Sequence, residues 1–301
     1  MITRMTVVQR VSDTDMPQLF QAADRASIDA QRAHVEGIRR RLLILSFAAI
    51  VGVFSWRVGS GRVDLWGIVG VLAFTAAMAM ELDAWKSRPD KTWYDGRAVA
   101  ESAKTLAWKF AVGALPFPCE MDLAVAQRAL VERLQEVHRS FQGLEVAALD
   151  APAISQWMVD QRTSSLEDRK RSYLAARIED QKSWYAKNAQ LNKKKARQWR
   201  SVLVLCEFLG VVFSLAVALV ENLVVLSPAI AVLVVATVAW SETKQYDFNS
   251  RAYSAAVNDL ANAEAKLELA IDELSWAKEV DDAEEAISRE HVIWWATRSR
   301  I

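Results

Sequence analysis

Residues 201–240 read SVLVLCEFLGVVFSLAVALVENLVVLSPAIAVLVVATVAW. The first half is apolar or small except for Glu207, and residues 222–240 carry no charge. A helix needs about 20 mostly apolar residues to cross the hydrocarbon core of a bilayer. Because only Glu221 separates the two halves, the sequence predicts a membrane hairpin with spans at about 201–220 and 222–240.

A second, shorter pair of apolar segments precedes this hairpin. Residues 42–56 and 65–80 carry no charge until Glu81, and Arg57 can extend the first segment by reaching toward the interface. The predicted spans are about 42–61 and 65–80. A soluble bundle could bury one such pair, but two pairs in one chain favour four spans.

Basic residues near the four spans are concentrated on one side. Fourteen Lys or Arg lie within 32–41, 86–91, 193–200 and 244–251, whereas the two interspan loops hold only Arg57 and Arg62. Positive charge remains on the cytoplasmic side of a membrane protein. Both termini are therefore expected in the cytoplasm.

The remaining segments, 1–41, 82–200 and 242–301, predict long cytoplasmic helices, because the chain has only 10 Gly and 6 Pro. One helix can run from Leu166 into the third span, since no Gly or Pro occurs before Gly210. A coiled-coil seam with alternating steps of four and three is predicted to pack on 173–198 of the same chain or on a neighbouring chain. Its members are Ala256, Leu260, Ala263, Leu267, Ala270, Leu274 and Ala277.

The order of elements occurs twice. A charged helix, a membrane hairpin and a post-membrane helix occupy residues 18–144 and again 166–300, and Tyr94-Asp95 is loosely echoed by Tyr246-Asp247. The predicted domains are therefore 1–150 and 151–301. The fold class is all-α, with two transmembrane hairpins and a cytoplasmic helical bundle.

Nothing in the sequence points to catalysis. Three His and two Cys occur without ligand spacing, and there is no phosphate loop or nucleophile motif. With 37 Lys or Arg against 37 Asp or Glu, the chain has no overall charge that would attract nucleic acid. We expect no catalytic residue, no metal, no cofactor and no nucleic-acid partner.

Glu207 is the residue with the highest cost of burial in the bilayer, since an ionised carboxylate within a span costs about 2.5–3.5 kcal/mol. Gly210, Ser214 and Ala218 share its helix face. Small and polar residues on one face favour close helix packing, and the stripe could line a pore formed by several subunits. The alternative is that Glu207 reaches the interface or pairs with Arg200 or Arg41.

Several stretches resemble the SLATT family, the SMODS- and SLOG-associating two-transmembrane effectors. Residues 154–169 (ISQWMVDQRTSSLEDR), 173–200 (YLAARIEDQKSWYAKNAQLNKKKARQWR) and 288–295 (SREHVIWW) are similar to one subtype. Residues 19–42 (LFQAADRASIDAQRAHVEGIRRRL) and 91–117 (KTWYDGRAVAESAKTLAWKFAVGALPF) resemble another. The resemblance covers nearly the whole chain as two fused modules.

This resemblance implies a bacterial inner-membrane effector of an anti-phage conflict system. Such effectors are expected to form pores or perturb the membrane when a nucleotide-signal sensor, or a nucleotidyltransferase partner, is triggered. Four spans can hardly enclose an aqueous path, so a pore would need several copies of the chain. The expected assembly is therefore a homo-oligomer in the lipid bilayer. The alternative is a non-conducting membrane scaffold that recruits cytoplasmic partners through its helical seam.

Overall fold

The computed structural model describes residues 11–59, 61, 63–141, 143–144, 151–220 and 223–298, without the side chains of 289–298. Nearly all of these residues are helical. The α-helices are α1 Gln18–Val51, α2 Leu65–Ser87, α3 Pro89–Val112, α4 Leu123–Ser140, α5 Gln156–Thr163, α6 Leu166–Tyr173, α7 Asp180–Leu219, α8 Ser227–Lys244, α9 Tyr246–Leu269 and α10 Glu273–Arg298. A π-helical segment, Leu174–Glu179, joins α6 to α7, and two-residue strands, β1 Arg57–Val58 and β2 Val63–Asp64, pair antiparallel between α1 and α2.

The chain forms two compact units that do not follow the two halves of the sequence. The bundle unit contains the residues up to Ala30, Asp90–Ala189 and the residues from Arg251 onward. The hairpin unit contains Gln31–Pro89 and Gln190–Ser250. Each half of the sequence therefore contributes to both units.

The core of the bundle unit is built around aromatic side chains. Trp108, Tyr173 and Trp276 are at most 1% exposed. The ring of Tyr173 meets Trp108 edge-on at 5.6 Å and Trp276 at 5.8 Å. Edge-to-face pairs of this kind stabilise a core by about 0.5–1.5 kcal/mol each beyond their buried area. The rings therefore join α3, α6 and α10.

Two arginines fix the loop that follows α3. Arg162 donates to the carbonyl oxygens of Phe117 and Pro118, each at 2.7 Å, and Arg169 donates to that of Val112 at 2.9 Å. Carbonyl groups of a buried loop need partners, because an unpaired polar group in the core costs free energy. The guanidinium groups supply them, so these arginines have a structural role.

The hairpin unit exposes its apolar side chains. The helical segments Leu65–Val112 and Leu166–Leu219 are long and apolar enough to cross a membrane, and almost none of their most apolar stretches is buried. Val71, Phe208 and Val211 are each more than 60% exposed. The buried positions of this unit include small residues such as Ala48, Ala77 and Ala229. Apolar residues outside and small residues between helices are the arrangement expected in lipid.

Four spans were predicted, but among the described residues only the two helical segments Leu65–Val112 and Leu166–Leu219 are long and apolar enough to cross a membrane. The other two predicted spans differ from the structure. Helix α1 ends at Val51 and not near 61, because a turn follows it at residues 52–53 and the chain then forms β1, β2 and the Asp64 cap of α2. Helix α8 begins at Ser227 and not at 222, because Pro228 starts the helix and residues 223–226 are not helical; residues 221 and 222 lie outside the described part. The apolar parts of α1 and α8 are therefore shorter than predicted.

Both hairpins end in the same way. Helix α2 stops at Arg88 with φ 43°, and α8 stops at Gln245 with φ 48°. In each case the backbone N–H donates to the carbonyl four residues earlier, and the next helix follows directly. Left-handed conformations are uncommon outside glycine, so this shared device supports the internal repeat.

The predicted seam does not lie on one helix. Helix α9 ends at Leu269 and α10 begins at Glu273, and Leu274 is 78% exposed, so the prediction of an uninterrupted seam through 277 is wrong. Asp272 caps α10 through Ser275 and thereby separates the two helices. The other members are buried or packed against the core of the bundle unit: Ala256, Leu260, Ala263, Leu267, Ala270 and Ala277.

The helix predicted to run from Leu166 into the third span is confirmed as one helical segment, Leu166–Leu219. The π-helical turns within it were not predicted.

Gly96 lets α3 approach α1 closely within the bundle unit. A Cβ at this position would lie 3.1 Å from the backbone oxygen of Ala23 and from the backbone nitrogen of Ser27. At Gly37, also within a helix, a Cβ would meet nothing within 4 Å. Alanine is favoured over glycine in a helix by about 0.8–1.0 kcal/mol, so Gly37→Ala is expected to raise stability by about that amount.

Gly96→Ala is expected to be less stable than Gly37→Ala by about 1–3 kcal/mol, because backbone atoms of α1 must shift to admit the methyl group. Thermal unfolding of the two purified variants measures the difference. Equal stabilisation by both substitutions would show that the α1–α3 contact is not tight.

Candidate functional site

A fully buried ion pair lies in the core of the bundle unit. The side chains of Arg177 and Glu284 are 1% and 0% exposed. Arg177 donates from Nε to Oε1 of Glu284 at 2.9 Å and from Nη2 to Oε2 at 2.8 Å. This bidentate geometry gives the strongest type of charged hydrogen bond in proteins. It joins the π-helical segment to α10.

Two further donors complete the carboxylate. Tyr173 donates its hydroxyl to Oε1 of Glu284 at 3.0 Å, and Thr105 donates to Oε2 at 2.8 Å. Each oxygen of Glu284 therefore accepts two hydrogen bonds. The Nη1 atom of Arg177 is buried without a partner among the described residues. Both oxygens of the Glu284 carboxylate therefore have hydrogen-bond partners, whereas one nitrogen of the Arg177 guanidinium has none among the described residues.

The π-helical segment explains how Arg177 reaches this position. An extra residue per turn, as in a π-helix, shifts every following side chain around the helix axis, and such segments often occur at functional sites. Here Arg177 and Ile178, on one turn, are both buried.

Charged residues extend the network toward the start of the chain. Arg97 contacts Glu101 at 2.6 Å and Asp24 at 3.7 Å. Burial, reinforced by the charge of Arg177, lowers the pKa of Lys104. Burial also raises the pKa of Asp24, against the charge of Arg97. The arrangement contains no nucleophile paired with a base. It links α1, α3, the π-helical segment and α10 through charge.

None of the site residues predicted from the sequence belongs to this network. The signal was present in the seam, because the same steps of three and four continue from Ala277 through Val280, Glu284 and Ile287. All four are buried. A charge at a core position of such a pattern indicates a buried polar contact. Its partner, 107 positions away, could not be identified from one sequence.

The structure does not bring the predicted stripe of α7 together as one packed face. A Cβ at Gly210 would lie 3.5 Å from Ile230 of α8, and the Ser214 and Ser227 hydroxyls are 3.1 Å apart. These two positions pack the hairpin. Glu207 and Ala218 are exposed. The carboxylate therefore lies on the outer surface of this chain, among apolar side chains.

The two arginines considered as partners of Glu207 contact other carboxylates. Arg41 pairs with Glu81, and Arg200 pairs with Asp247 at 2.9 Å. In each hairpin the arginine precedes the first apolar segment and the acid follows the second. Among the described residues, neither arginine is recorded in an ion pair with Glu207.

The comparisons place both halves of the chain in one family. The family model "SMODS and SLOG-associating 2TM effector domain 3" matches residues 17–170, and "SMODS and SLOG-associating 2TM effector domain 1" matches residues 173–294. The chain belongs to the SLATT family. It carries two tandem SLATT modules of different subtypes, as predicted. SLATT domains are two-transmembrane effector domains of conflict and defence systems.

The two SLATT modules meet between residues 170 and 173, whereas the sequence predicted a boundary at 150/151. Residues 145–150 lie outside the described part of the chain. The chain has no significant match among curated proteins or solved structures. Among the described residues, no group of three or more His, Cys, Asp or Glu is placed to hold a metal ion.

Tyr173 provides a test of the buried network of this SLATT protein. Burial, together with the charge of Glu284, raises the pKa of Tyr173 well above its ordinary value. The folded state keeps the phenol protonated, whereas the unfolded chain ionises near pH 10. Its contribution to stability is therefore complete below about pH 10 and declines as the pH rises further.

Tyr173→Phe is expected to lower the free energy of unfolding by about 1.5–3 kcal/mol at pH 8, because a hydrogen bond to a charged group is lost. Above pH 10, the difference in unfolding free energy between Tyr173→Phe and the wild type should narrow by about 1.4 kcal/mol per pH unit, because only the wild type loses stability when the phenol ionises in the unfolded chain. Denaturant unfolding at pH 8 and pH 11 measures both gaps. An unchanged gap would contradict a protonated, buried Tyr173.

Proposed function

We propose that this SLATT protein is a membrane effector of a bacterial anti-phage conflict system, which oligomerises in the inner membrane and opens a pore or perturbs the bilayer. The observation that carries the proposal is the exposed apolar surface of the hairpin unit, with the exposed carboxylate of Glu207 inside the apolar part of α7. Family membership supports the effector role.

Glu207 favours assembly over a lone chain. A carboxylate among exposed apolar side chains faces lipid in a single copy, at a cost of several kcal/mol. Neighbouring copies remove that cost when their Glu207 side chains share a hydrated space. A ring of carboxylates is also the device by which cation channels select their ions. The proposed pore is therefore lined by α7 and conducts cations.

The short apolar helices support membrane perturbation. We infer that all four apolar segments enter the bilayer with both termini cytoplasmic. The apolar part of α1, residues 42–51, covers about 15 Å at 1.5 Å per residue, and the hydrocarbon core is about 30 Å thick. A short span is accommodated when the bilayer thins around it. Local thinning lowers the barrier to ion passage.

The trigger is proposed to act on the bundle unit. A separate nucleotide-signal sensor, or a nucleotidyltransferase partner, would bias its charge network between two arrangements. The helices α1 and α7 contain residues of both units, so a change in the bundle unit has a continuous path along the chain.

Membrane potential and propidium entry after tightly induced expression of this chain alone test the proposal. Depolarisation with matched membrane insertion is the expected result for a conducting effector. An unchanged potential with the chain fully inserted, both alone and together with a nucleotide-signal sensor, would instead support a scaffold.

The alternative scaffold was predicted to recruit partners through its helical seam. In the structure Leu260 and Leu267 are 3% and 0% exposed within the bundle unit. Those side chains are occupied by the core of their own chain. Leu274 is the one exposed member of the seam, so the seam gives the scaffold no continuous surface, and we favour the pore.

A further inference from the structure

The most exposed aliphatic side chains of the bundle unit, among the described residues, lie on the turn between α9 and α10. Leu269, Ile271 and Leu274 are 78%, 88% and 78% exposed. We call these three residues the α9–α10 knob. Contiguous exposed apolar side chains rimmed by polar residues indicate an interaction surface.

The knob is held rigidly by its surroundings. Lys170 donates to the carbonyl oxygens of Glu268 and Ala270 at 2.7 and 3.0 Å, and Arg169 pairs with Glu273. The backbone N–H of Ser275 donates to Asp272 at 2.7 Å, while Ala270 is buried beneath the turn. A surface that is already ordered loses little entropy when it binds. The turn is built to present its apolar side chains.

A groove of about 260 Å³ lies elsewhere in the bundle unit, between the start of α1, the second half of α4 and Ala153. Its apolar lining includes Leu19, Val131 and Leu134, and its polar lining includes His138 and Arg139 but no carboxylate. Small-molecule pockets have volumes of about 300–1,000 Å³. This smaller, open groove suits apolar side chains of a protein better than a cofactor.

The charges of the two surfaces are complementary. Exposed carboxylates of Glu268 and Asp272 flank the knob and outweigh the ammonium group of Lys170 beneath it, whereas the groove presents Arg139 at the C-terminal end of α4. Opposite charges around an apolar contact determine which surfaces meet and in what orientation. Knob against knob would place like charges together, and an anionic lipid surface would repel the same carboxylates.

We propose that the α9–α10 knob of one copy docks into the α1–α4 groove of the next copy. The two surfaces share no residue, so the contact is head-to-tail and generates a ring when the rotation closes. Copies in one membrane share a single orientation, which favours cyclic symmetry. This inference rests on the proposed oligomeric pore and assigns its subunit contact.

Disulfide crosslinking in membranes tests the contact directly. In a chain with Cys119→Ser and Cys206→Ser, Ile271→Cys and Gln135→Cys are placed together and oxidised. The expected result is a ladder of crosslinked oligomers, with neither single cysteine giving a ladder. Dimers from Ile271→Cys alone, or no crosslink from the pair in membranes where native gels show an oligomer, would overturn the proposal.

Substitutions that introduce or reverse a charge on the two surfaces provide a second test, which does not depend on oxidation. Ile271→Asp is expected to weaken assembly at least about tenfold. Val125→Asp, which alters an exposed α4 residue outside the groove, is expected to leave assembly unchanged.

A charge swap tests the pairing of Arg139 with Glu268. Arg139→Glu should weaken assembly, and Glu268→Lys in the same chain should restore it; Asp272 is unsuitable because it caps α10. Failure of this rescue, with both single variants folded, would reject the pairing.

These experiments separate the contact from the pore. Crosslinking without depolarisation would keep the contact and reject conduction. Depolarisation by the wild type without crosslinking of the pair would keep conduction and reject the contact.

Discussion

Glu284→Ala is expected to lower the free energy of unfolding of the bundle unit by about 3–5 kcal/mol, the usual effect of removing one partner of a buried ion pair. The substitution leaves Arg177 charged and 1% exposed, and it removes the acceptor of Tyr173 and Thr105. Three donors would then be buried without their acceptor. A loss of this size is a large share of the stability of a domain.

Unfolding of the purified full chain in detergent, followed through the buried Trp108 and Trp276, measures the change. Glu285→Ala is the matched control, because Glu285 is the exposed neighbour of Glu284, and it should change stability by less than about 0.5 kcal/mol.

Arg177→Met with Glu284→Leu is expected to recover part of the loss, since apolar replacements of a buried pair are often neutral. The rest remains because the hydroxyls of Tyr173 and Thr105 still lack their acceptor. If Glu284→Ala alone were no worse than Glu285→Ala, the ion pair would not be buried as described.

The double variant also separates stability from signalling. Should it fold well but fail to respond to the trigger, the charge network would be the element that the sensor biases. Should it respond normally, the network would serve stability alone. The response is measured as depolarisation when a nucleotide-signal sensor is expressed with the chain.

The positions of the apolar segments could be predicted because hydropathy is a local property of the chain. Residues 65–80 and 201–220 fall almost entirely within α2 and α7. The ends of the first and fourth spans could not be predicted, because they depend on the local backbone conformation. The turn after Val51 and the late start of α8 at Pro228 shorten helices that remain apolar beyond their ends.

The buried network could not be predicted for a different reason. Arg177 reaches Glu284 only because the π-helical segment rotates the chain and because α10 packs against it. Neither the π-helical turns nor the contact between residues 107 positions apart leaves a clear local pattern. Likewise, Leu274 has the spacing of the seam, but Asp272 caps a new helix just before it and the Leu274 side chain is exposed.

Glu207→Gln is expected to reduce depolarisation and propidium entry at least about tenfold when the chain is expressed at wild-type level. The amide keeps the size of the side chain but removes the charge that would attract cations to a pore. Glu207→Leu should have a larger effect, because it also removes the polar group from the exposed face of α7. Insertion itself should improve, since the cost of the carboxylate in lipid disappears.

Glu242→Gln is the matched control, because Glu242 is an exposed carboxylate at the end of α8 in the same unit. It should leave the depolarisation unchanged. Full activity of both Glu207 variants at matched expression would remove this residue from the mechanism and leave bilayer thinning around the short helices as the source of the leak. Loss of activity in Glu207→Gln with the oligomer intact would place the carboxylate on the conducting path, because this substitution would then have removed conduction while leaving assembly unchanged.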